Sequence, residues 1–404
     1  MESKKELIIK SDNINVRIDL PASKSISNRA LILNALSYSP YDIQHLSDCD
    51  DTRVTLKALD SDDTTFDIGA AGTAMRFLTA FLAKTYGEWV ITGSERMKQR
   101  PIKLLVDALN SLGARIEYVE KEGYPPLRIF GSALTGGEIH LNGSVSSQYI
   151  SALMMIAPFM QEGLKIILEG NVISKPYIAM TQKMMGEFGA TVDFTENIVS
   201  IEPQTYRPVQ YKVESDWSAA SYWYEILSLV GSGEVFLIGL RQNSYQGDSK
   251  VAELFKQLGV ETEYLPEGVR ITPTGKVTSR MEYDFTDQPD LAQTFAVTCC
   301  LKEIPFAFSG LQSLKIKETD RIAALKNELS KLGFVLSEPG EGLLSWENEK
   351  CEPAKEIRIA TYEDHRMAMA FAPTALSYPI IIEQPEVVTK SYPTFWKDFE
   401  KIKE

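Results

Sequence analysis

The sequence predicts an α/β (α+β) protein built from repeated β-α-β-α-β-β units with helices buried against sheets, and three observations carry that reading. Helix stops recur: S-L-G-A-R-I at Ser111, E-F-G-A-T-V at Glu187, Q-L-G-V-E-T at Gln257 and K-L-G-F-V-L at Lys331 each place Gly just past a helix and before a strand. The four glycines, Gly113, Gly189, Gly259 and Gly333, lie 76, 70 and 74 residues apart, so one structural unit repeats along the chain. Two kinds of helix alternate between the stops. T-A-M-R-F-L-T-A-F-L-A (from Thr73), Y-I-S-A-L-M-M-I-A (from Tyr149) and M-A-M-A-F-A-P-T-A-L (from Met367) are apolar nearly all round and should be buried, whereas D-S-K-V-A-E-L-F-K-Q-L-G (from Asp248) is amphipathic and should face water. Short apolar strands, K-I-I-L-E at Lys165, V-F-L-I at Val235 and P-I-I-I-E at Pro379, run between them.

The elements follow in order. After each stop the pattern reads as a hairpin-like pair of strands, as in V-R-I-T-P at Val269 and R-M-E-Y-D-F at Arg280, then a polar loop and a new helix. Those loops are S-S-Q (Ser146 to Gln148), D-W-S-A-A (Asp216 to Ala220), D-Q-P-D (Asp287 to Asp290) and E-D-H-R (Glu363 to Arg366). D-I-G-A-A-G-T-A-M-R (Asp67 to Arg76) holds the same place after a hairpin shortened to S-D-D-T-T beyond Leu59. A sixth copy is split: S-Y-P-T-F-W-K-D-F-E-K-I from Ser391 supplies a helix, while E-L-I-I-K and V-R-I-D-L near the start supply a hairpin, so the ends should meet. S-K-S-I-S-N-R-A (Ser23 to Ala30) is then the sixth loop.

A chain of 404 residues suggests two domains. Its formal net charge of -13 argues against broad attachment to nucleic acid or anionic membrane, so each basic cluster is a local site. Cys49, Cys299, Cys300 and Cys351 show neither C-x-x-C pairing nor regular spacing with histidine, which fits a reduced cytoplasm and indicates neither a disulfide framework nor a zinc site. The opening M-E-S-K-K-E-L-I-I-K is too polar for a signal peptide, and Ile150 to Met160 is too short and broken for a membrane span.

Each polar loop falls between a strand end and a helix start, where free N–H groups and the helix dipole favour anions. Lys24, Ser25 and Arg29 cluster at the first such start, and Gly72, Thr73 and Arg76 at the second, where glycine lets a ligand approach the backbone. Serine caps helices routinely, so S-S-Q at Ser146 and S-K-P-Y at Ser174 also read as plain capped turns, as does Q-R-P at Arg100. K-I-K-E-T-D-R (Lys315 to Arg321) packs two lysines, two carboxylates and an arginine into seven residues; a surface ion-pair lattice is the alternative. Asp364, His365 and Arg366 precede an almost wholly apolar helix, where stray charge would be costly. No G-x-S-x-G or P-loop pattern occurs, which disfavours covalent serine catalysis and nucleotide hydrolysis. Lys24, Arg29, Arg100, Lys317, Arg321, Arg366 and Lys390, with Asp290 and Glu318, are too many cations for one phosphate and suggest two anionic substrates.

Taken together, L-P-A-S-K-S-I-S-N-R-A-L, G-A-A-G-T-A-M-R, R-M-K-Q-R-P-I, V-S-S-Q-Y, S-K-P-Y-I, K-E-T-D-R and D-H-R-M-A-M-A resemble, in order, the EPSP synthase family, the 3-phosphoshikimate 1-carboxyvinyltransferases. The resemblance runs from about Leu20 to Pro393. It implies an inside-out α/β barrel fold of six units, three per domain, with residues 1-21 plus 214-404 as one discontinuous domain, 22-213 inserted, and the active site in the cleft between them. It also implies transfer of the enolpyruvyl group of phosphoenolpyruvate to the 5-hydroxyl of shikimate 3-phosphate, with no cofactor or metal. The partners are those small molecules, with neither nucleic acid nor membrane, and nothing demands more than a monomer.

By the same resemblance Lys24, Ser25, Arg29, Ser146, Ser147, Gln148, Ser174, Asp290 and Lys317 match shikimate 3-phosphate ligands. Lys24, Gly72, Arg100, Gln148, Arg321, Arg366 and Lys390 match phosphoenolpyruvate ligands. Asp290, Glu318, Lys24 and His365 match the catalytic set. Three departures stand out: Ala70 replaces a common asparagine, the segment after Leu59 is short, and Ser313 stands where some members have asparagine. The related UDP-N-acetylglucosamine enolpyruvyl transferases rely on a loop cysteine absent from R-M-K-Q-R-P-I. A non-catalytic phosphometabolite-binding protein would have little use for both Asp290 and Glu318, which repel anions.

Overall fold

In the computed structural model, which describes residues 3–403, the repeated helix stops all take the left-handed conformation. Gly113, Gly189, Gly259 and Gly333 have φ of +99°, +90°, +85° and +97°, values a side chain would strain. At Gly189 a Cβ would also meet Arg207 Nε at 2.5 Å. The chain divides into two units, one formed by residues through Pro21 with those from Glu214 onward, the other by Ala22–Val213.

One wiring recurs in the sheets of both units. In Ala22–Val213 the strand Thr65–Asp67 lies parallel to Gly87–Thr92, which is followed by antiparallel neighbours Leu127–Gly131 and Arg115–Tyr118. Gly137–Asn142, Leu164–Glu169, Ile198–Ile201 and Asp193–Thr195 repeat the order. In the other unit Ile14–Asp19 lies parallel to Gly233–Ile238, with Gly268–Val277 and Leu258–Leu265 antiparallel beyond it. Two three-stranded sheets keep the parallel pair and one antiparallel neighbour. The parallel pairs are joined by the apolar helices, as a crossover requires: Gly72–Lys84, Ser147–Ile156, Trp217–Val230, Ala292–Leu301 and His365–Phe371. These are buried along most of their length.

Four details differ from the sequence reading. The strands near Val269 and Arg280 do not form a hairpin with each other. Gly268–Val277 pairs back onto Leu258–Leu265, because the two-residue turn Pro266–Glu267 closes the hairpin one strand earlier, and Met281–Asp284 leaves to run parallel to Phe306–Ser309. Nor do the first two strands pair: Lys4–Leu7 runs antiparallel to Ile380–Glu383, and Ile14–Asp19 joins Gly233–Ile238. Beyond Leu59 there is no hairpin at all, only the single strand Thr65–Asp67. The amphipathic segment from Asp248 breaks into a 3-10 turn, one α-turn and a second 3-10 turn, yet still buries Val251, Ala252, Leu254 and Phe255. Among the described residues no helix is long and apolar enough to cross a membrane.

Candidate active site

In Ala22–Val213 the sequence-predicted residues stand at four helix starts, and these helices pack on one another. Ser23 caps Lys24–Leu36, its hydroxyl accepting from Ile26 N, so Lys24 and Ser25 lie in the first turn. Arg29, one turn on, is almost wholly buried. Its guanidinium donates to Thr181 Oγ1 at 2.8 Å, Ser25 O at 2.9 Å and Ser151 Oγ at 2.9 Å, tying three helices together. No carboxylate balances it in these contacts, and burial lowers its pKa to about 10, partly opposed by Tyr177. A buried arginine held by hydroxyls and a carbonyl is prepared for an anion.

Gly72 opens the helix Gly72–Lys84, and the guanidinium of Arg100 lies against it: a Cβ there would meet Arg100 Nη1 at 2.6 Å and Arg76 Nη1 at 2.9 Å. Ser146 caps Ser147–Ile156, and Gln148 Nε2 reaches Thr73 Oγ1 at 3.2 Å, which joins the second and third helix starts. Ser174 precedes Lys175–Glu187 in the left-handed conformation, φ +55°, with Pro176 in the first turn. Arg76, one turn on from Gly72, is buried and bonded to Gly72 O at 2.8 Å, so the Gly72, Thr73 and Arg76 that the sequence clusters share one helix start.

In the other unit the predicted residues form one ion-pair network around Arg321, the first residue of Arg321–Lys331. Its Nη1 donates to Asp290 Oδ1 at 2.9 Å and its Nη2 to Glu318 Oε2 at 2.9 Å. Nε and Nη2 grip Asp364 at 2.6 and 3.2 Å. Arg366 Nη2 meets Asp290 Oδ2 at 3.0 Å, Lys390 Nζ meets Glu318 Oε1 at 2.9 Å, and Lys317 Nζ lies 3.8 Å from Asp290. His365 Nδ1 is 3.6 Å from Asp364 Oδ1. Ions taken this far from water persist only when each is paired.

The charges set the protonation states. Burial alone would push the Asp290 carboxyl up, but Arg366, Lys317 and Arg321 outweigh it and hold it well below the usual carboxylate range. Asp290 pulls the Lys317 ammonium up, yet burial with Arg321 and Arg366 leaves it lowered. Burial, reinforced by Asp290, pushes the Asp248 carboxyl up to about 7. Asp364, which the sequence flags beside His365 and Arg366, grips Arg321, whereas nothing in the sequence singles out Asp248 for the site. Asp364 was visible in D-H-R but reads as a helix cap, which it also is, accepting from Arg366 N at 2.9 Å. Asp248 reads as the polar start of a surface helix, whereas it is buried and bonded to Ser218.

The family model for EPSP synthase (3-phosphoshikimate 1-carboxyvinyltransferase) matches residues 8–61 and 57–399. A 3-phosphoshikimate 1-carboxyvinyltransferase of Bacteroides fragilis is 55% identical over 397 residues, covering 98% of this chain and 97% of that protein. One from Vibrio cholerae is 38% identical across 96% of this chain and 97% of its own. The solved EPSP synthase of Acinetobacter baumannii superposes with a TM-score of 0.79 at 20% identity, over 99% of this chain and 98% of that one, and so shares the fold. Matched along nearly its whole length by family model and relatives alike, the chain belongs to the EPSP synthase family.

Proposed function

We infer that the chain transfers the enolpyruvyl group of phosphoenolpyruvate to the 5-hydroxyl of shikimate 3-phosphate, releasing 5-enolpyruvylshikimate 3-phosphate and phosphate, a step of aromatic amino acid (chorismate) biosynthesis. The observation that carries this is 55% identity to a 3-phosphoshikimate 1-carboxyvinyltransferase over 98% of the chain. The family's organisation also supports reading the recurring sheet wiring as six β-α-β-α-β-β units, three per unit of the chain, in an inside-out barrel.

Both groups of residues act on the same two substrates. Lys24, Ser25, Arg29, Ser146, Ser147, Gln148, Ser174, Asp290 and Lys317 hold shikimate 3-phosphate. Lys24, Gly72, Arg100, Gln148, Arg321, Arg366 and Lys390 hold phosphoenolpyruvate. The 5-hydroxyl oxygen attacks C2 of phosphoenolpyruvate as Asp290 takes its proton, and Glu318, with Lys24 and His365, delivers a proton to the methylene C3. The resulting tetrahedral adduct loses phosphate, and a proton leaves the new methyl group to restore the double bond. A carboxylate as strongly stabilised as Asp290 is a weak base on its own. Substrate phosphate and carboxylate groups drawing Arg366, Arg321 and Lys317 away would raise its basicity when both substrates are present. Cations aimed at the reacting anions supply electrostatic stabilisation of the adduct.

The test is phosphate release from purified protein with both substrates, omitting each in turn. Release that requires both is expected. No release, with shikimate 3-phosphate still bound by calorimetry, would indicate a binding protein instead. Lys24→Ala and Arg366→Ala should each lose at least roughly 100-fold in kcat/KM and keep the wild-type circular dichroism spectrum; wild-type rates in both would contradict the site. Gly72→Ala drives a methyl into Arg100, so the KM for phosphoenolpyruvate should rise by roughly tenfold or more with that for shikimate 3-phosphate little changed. Equal changes in both constants would count against placing Arg100 on phosphoenolpyruvate.

A further inference from the structure

Arg321 and Glu328 stand seven residues apart on Arg321–Lys331, close to two full turns, and so share one face of the helix. Both reach the same loop. Arg321 grips Asp364, while the fully buried Glu328 accepts from Ala360 N at 3.0 Å and from the Tyr362 hydroxyl at 2.7 Å. Lys331 Nζ donates to Glu328 at 2.6 Å and to Arg358 O at 2.8 Å, so partners surround the carboxylate. Burial and the Glu328 carboxylate push the Tyr362 hydroxyl up to about 12, so it keeps its proton and donates throughout the neutral range.

That loop needs an external hold. Tyr362 and Glu363 both have φ of +55°, a left-handed conformation that non-glycine residues rarely take and that persists only where the surroundings impose it. The next residues are Asp364, His365 and Arg366. An unclamped turn would relax toward ordinary φ and carry Arg366 away from Asp290.

We propose that Glu328, acting through Tyr362 and Ala360, is a positioning residue that fixes the left-handed turn and thereby sets Arg366 against Asp290. The proposal rests on the reading of Arg366 as a phosphoenolpyruvate ligand of the transferase. Glu328 touches no substrate; its influence passes through the backbone of the turn, as outer partners orient the groups that do touch substrate.

Tyr362→Phe removes one hydroxyl from a half-buried side chain, and Glu328→Gln replaces the carboxylate at constant shape. Both variants, their double and the wild type are compared by steady-state phosphate release with each substrate varied, and Tyr362→Phe also by crystallography. The expected result is a KM for phosphoenolpyruvate raised by about 10- to 100-fold, a KM for shikimate 3-phosphate within about twofold of wild type, and a double variant no worse than Glu328→Gln, because both changes act through one contact. A loss of kcat that only tracks the folded fraction, with both KM values unchanged, would make Glu328 a structural brace and overturn the proposal. If the wild type released no phosphate, the transferase reading would fall, and the Tyr362→Phe structure would still decide the positioning: an Arg366–Asp290 bond and a Tyr362–Glu363 turn unchanged from wild type would overturn it.

Discussion

Replacing Asp290 with Asn is expected to lower kcat by about 100- to 10,000-fold, the range that a lost general base produces. The amide keeps the shape of the carboxylate but cannot take the proton of the attacking hydroxyl. The fold should survive, because Arg321 retains Asp364 at 2.6 Å and Glu318 at 2.9 Å. Arg366 and Lys317, by contrast, lose the carboxylate that faces them at 3.0 and 3.8 Å. Anionic substrates would then meet more available positive charge, so binding should hold or tighten while turnover collapses. Phosphate release at saturating substrate, paired with calorimetric titration of shikimate 3-phosphate, separates the two effects. A kcat within tenfold of wild type would remove Asp290 from the proton-transfer step.

Glu225→Gln should stabilise the protein increasingly as pH rises. Glu225 lies in the middle of Trp217–Val230 with no exposed surface. Burial pushes its carboxyl well above the ordinary value of 4.5, and Thr298 offsets only part of this, its hydroxyl hydrogen being committed to Thr294 O at 2.7 Å. The folded protein therefore keeps a proton that the unfolded chain releases once pH passes 4.5. From there up to the folded pKa, wild-type stability falls by about 1.4 kcal/mol per pH unit from this group alone. Below that window the carboxyl is protonated in both states and the term vanishes. Glutamine deletes the titration at constant shape, so its advantage over wild type should open with that slope in urea unfolding measured across the acidic to neutral range. Parallel curves for the two proteins would mean that Glu225 ionises in the core.

What the sequence disclosed follows how local each signal is. A glycine that must turn left-handed after a helix announces itself within a few residues, which is why Gly113, Gly189, Gly259 and Gly333 were legible as stops. Helices such as Gly72–Lys84 declared their burial through a run of apolar residues broken, between Thr73 and Lys84, only by Arg76 and by Thr79, which satisfies itself on Met75 O at 2.6 Å. Strand partners were less legible. Alternation marks a strand but not its neighbour, so Gly268–Val277 and Met281–Asp284 read as a pair although a turn at Pro266–Glu267 and a crossover through Ala292–Leu301 send them to different sheets.

The candidate site divides along the same line. Crowding in K-I-K-E-T-D-R marked Lys317, Glu318 and Arg321, charge set before an apolar helix marked Arg366, and the structure gathers them with Asp290 and Lys390. Asp364 was marked as charge before a helix, but its partner was not, because the carboxylate also caps that helix locally and its grip on Arg321 spans 43 residues. Glu328 escaped for a plainer reason: on an amphipathic helix one more glutamate reads as solvent-facing until the loop that covers it is seen.

The wiring of the first two strands also constrains how the molecule is made. Ile14–Asp19 and Gly233–Ile238 are the parallel strands of one crossover, and Ala22–Val213 is interposed between the first strand and its helix. The chain departs and returns at nearly the same point, with Asp216 N donating to Pro21 O at 2.9 Å. Every sheet strand of the interposed segment finds its partner within that segment, so it can collapse while the ribosome is still working. Lys4–Leu7 has no such option, since Ile380–Glu383 emerges on the order of tens of seconds later at ordinary elongation rates. During synthesis the guest can fold before its host.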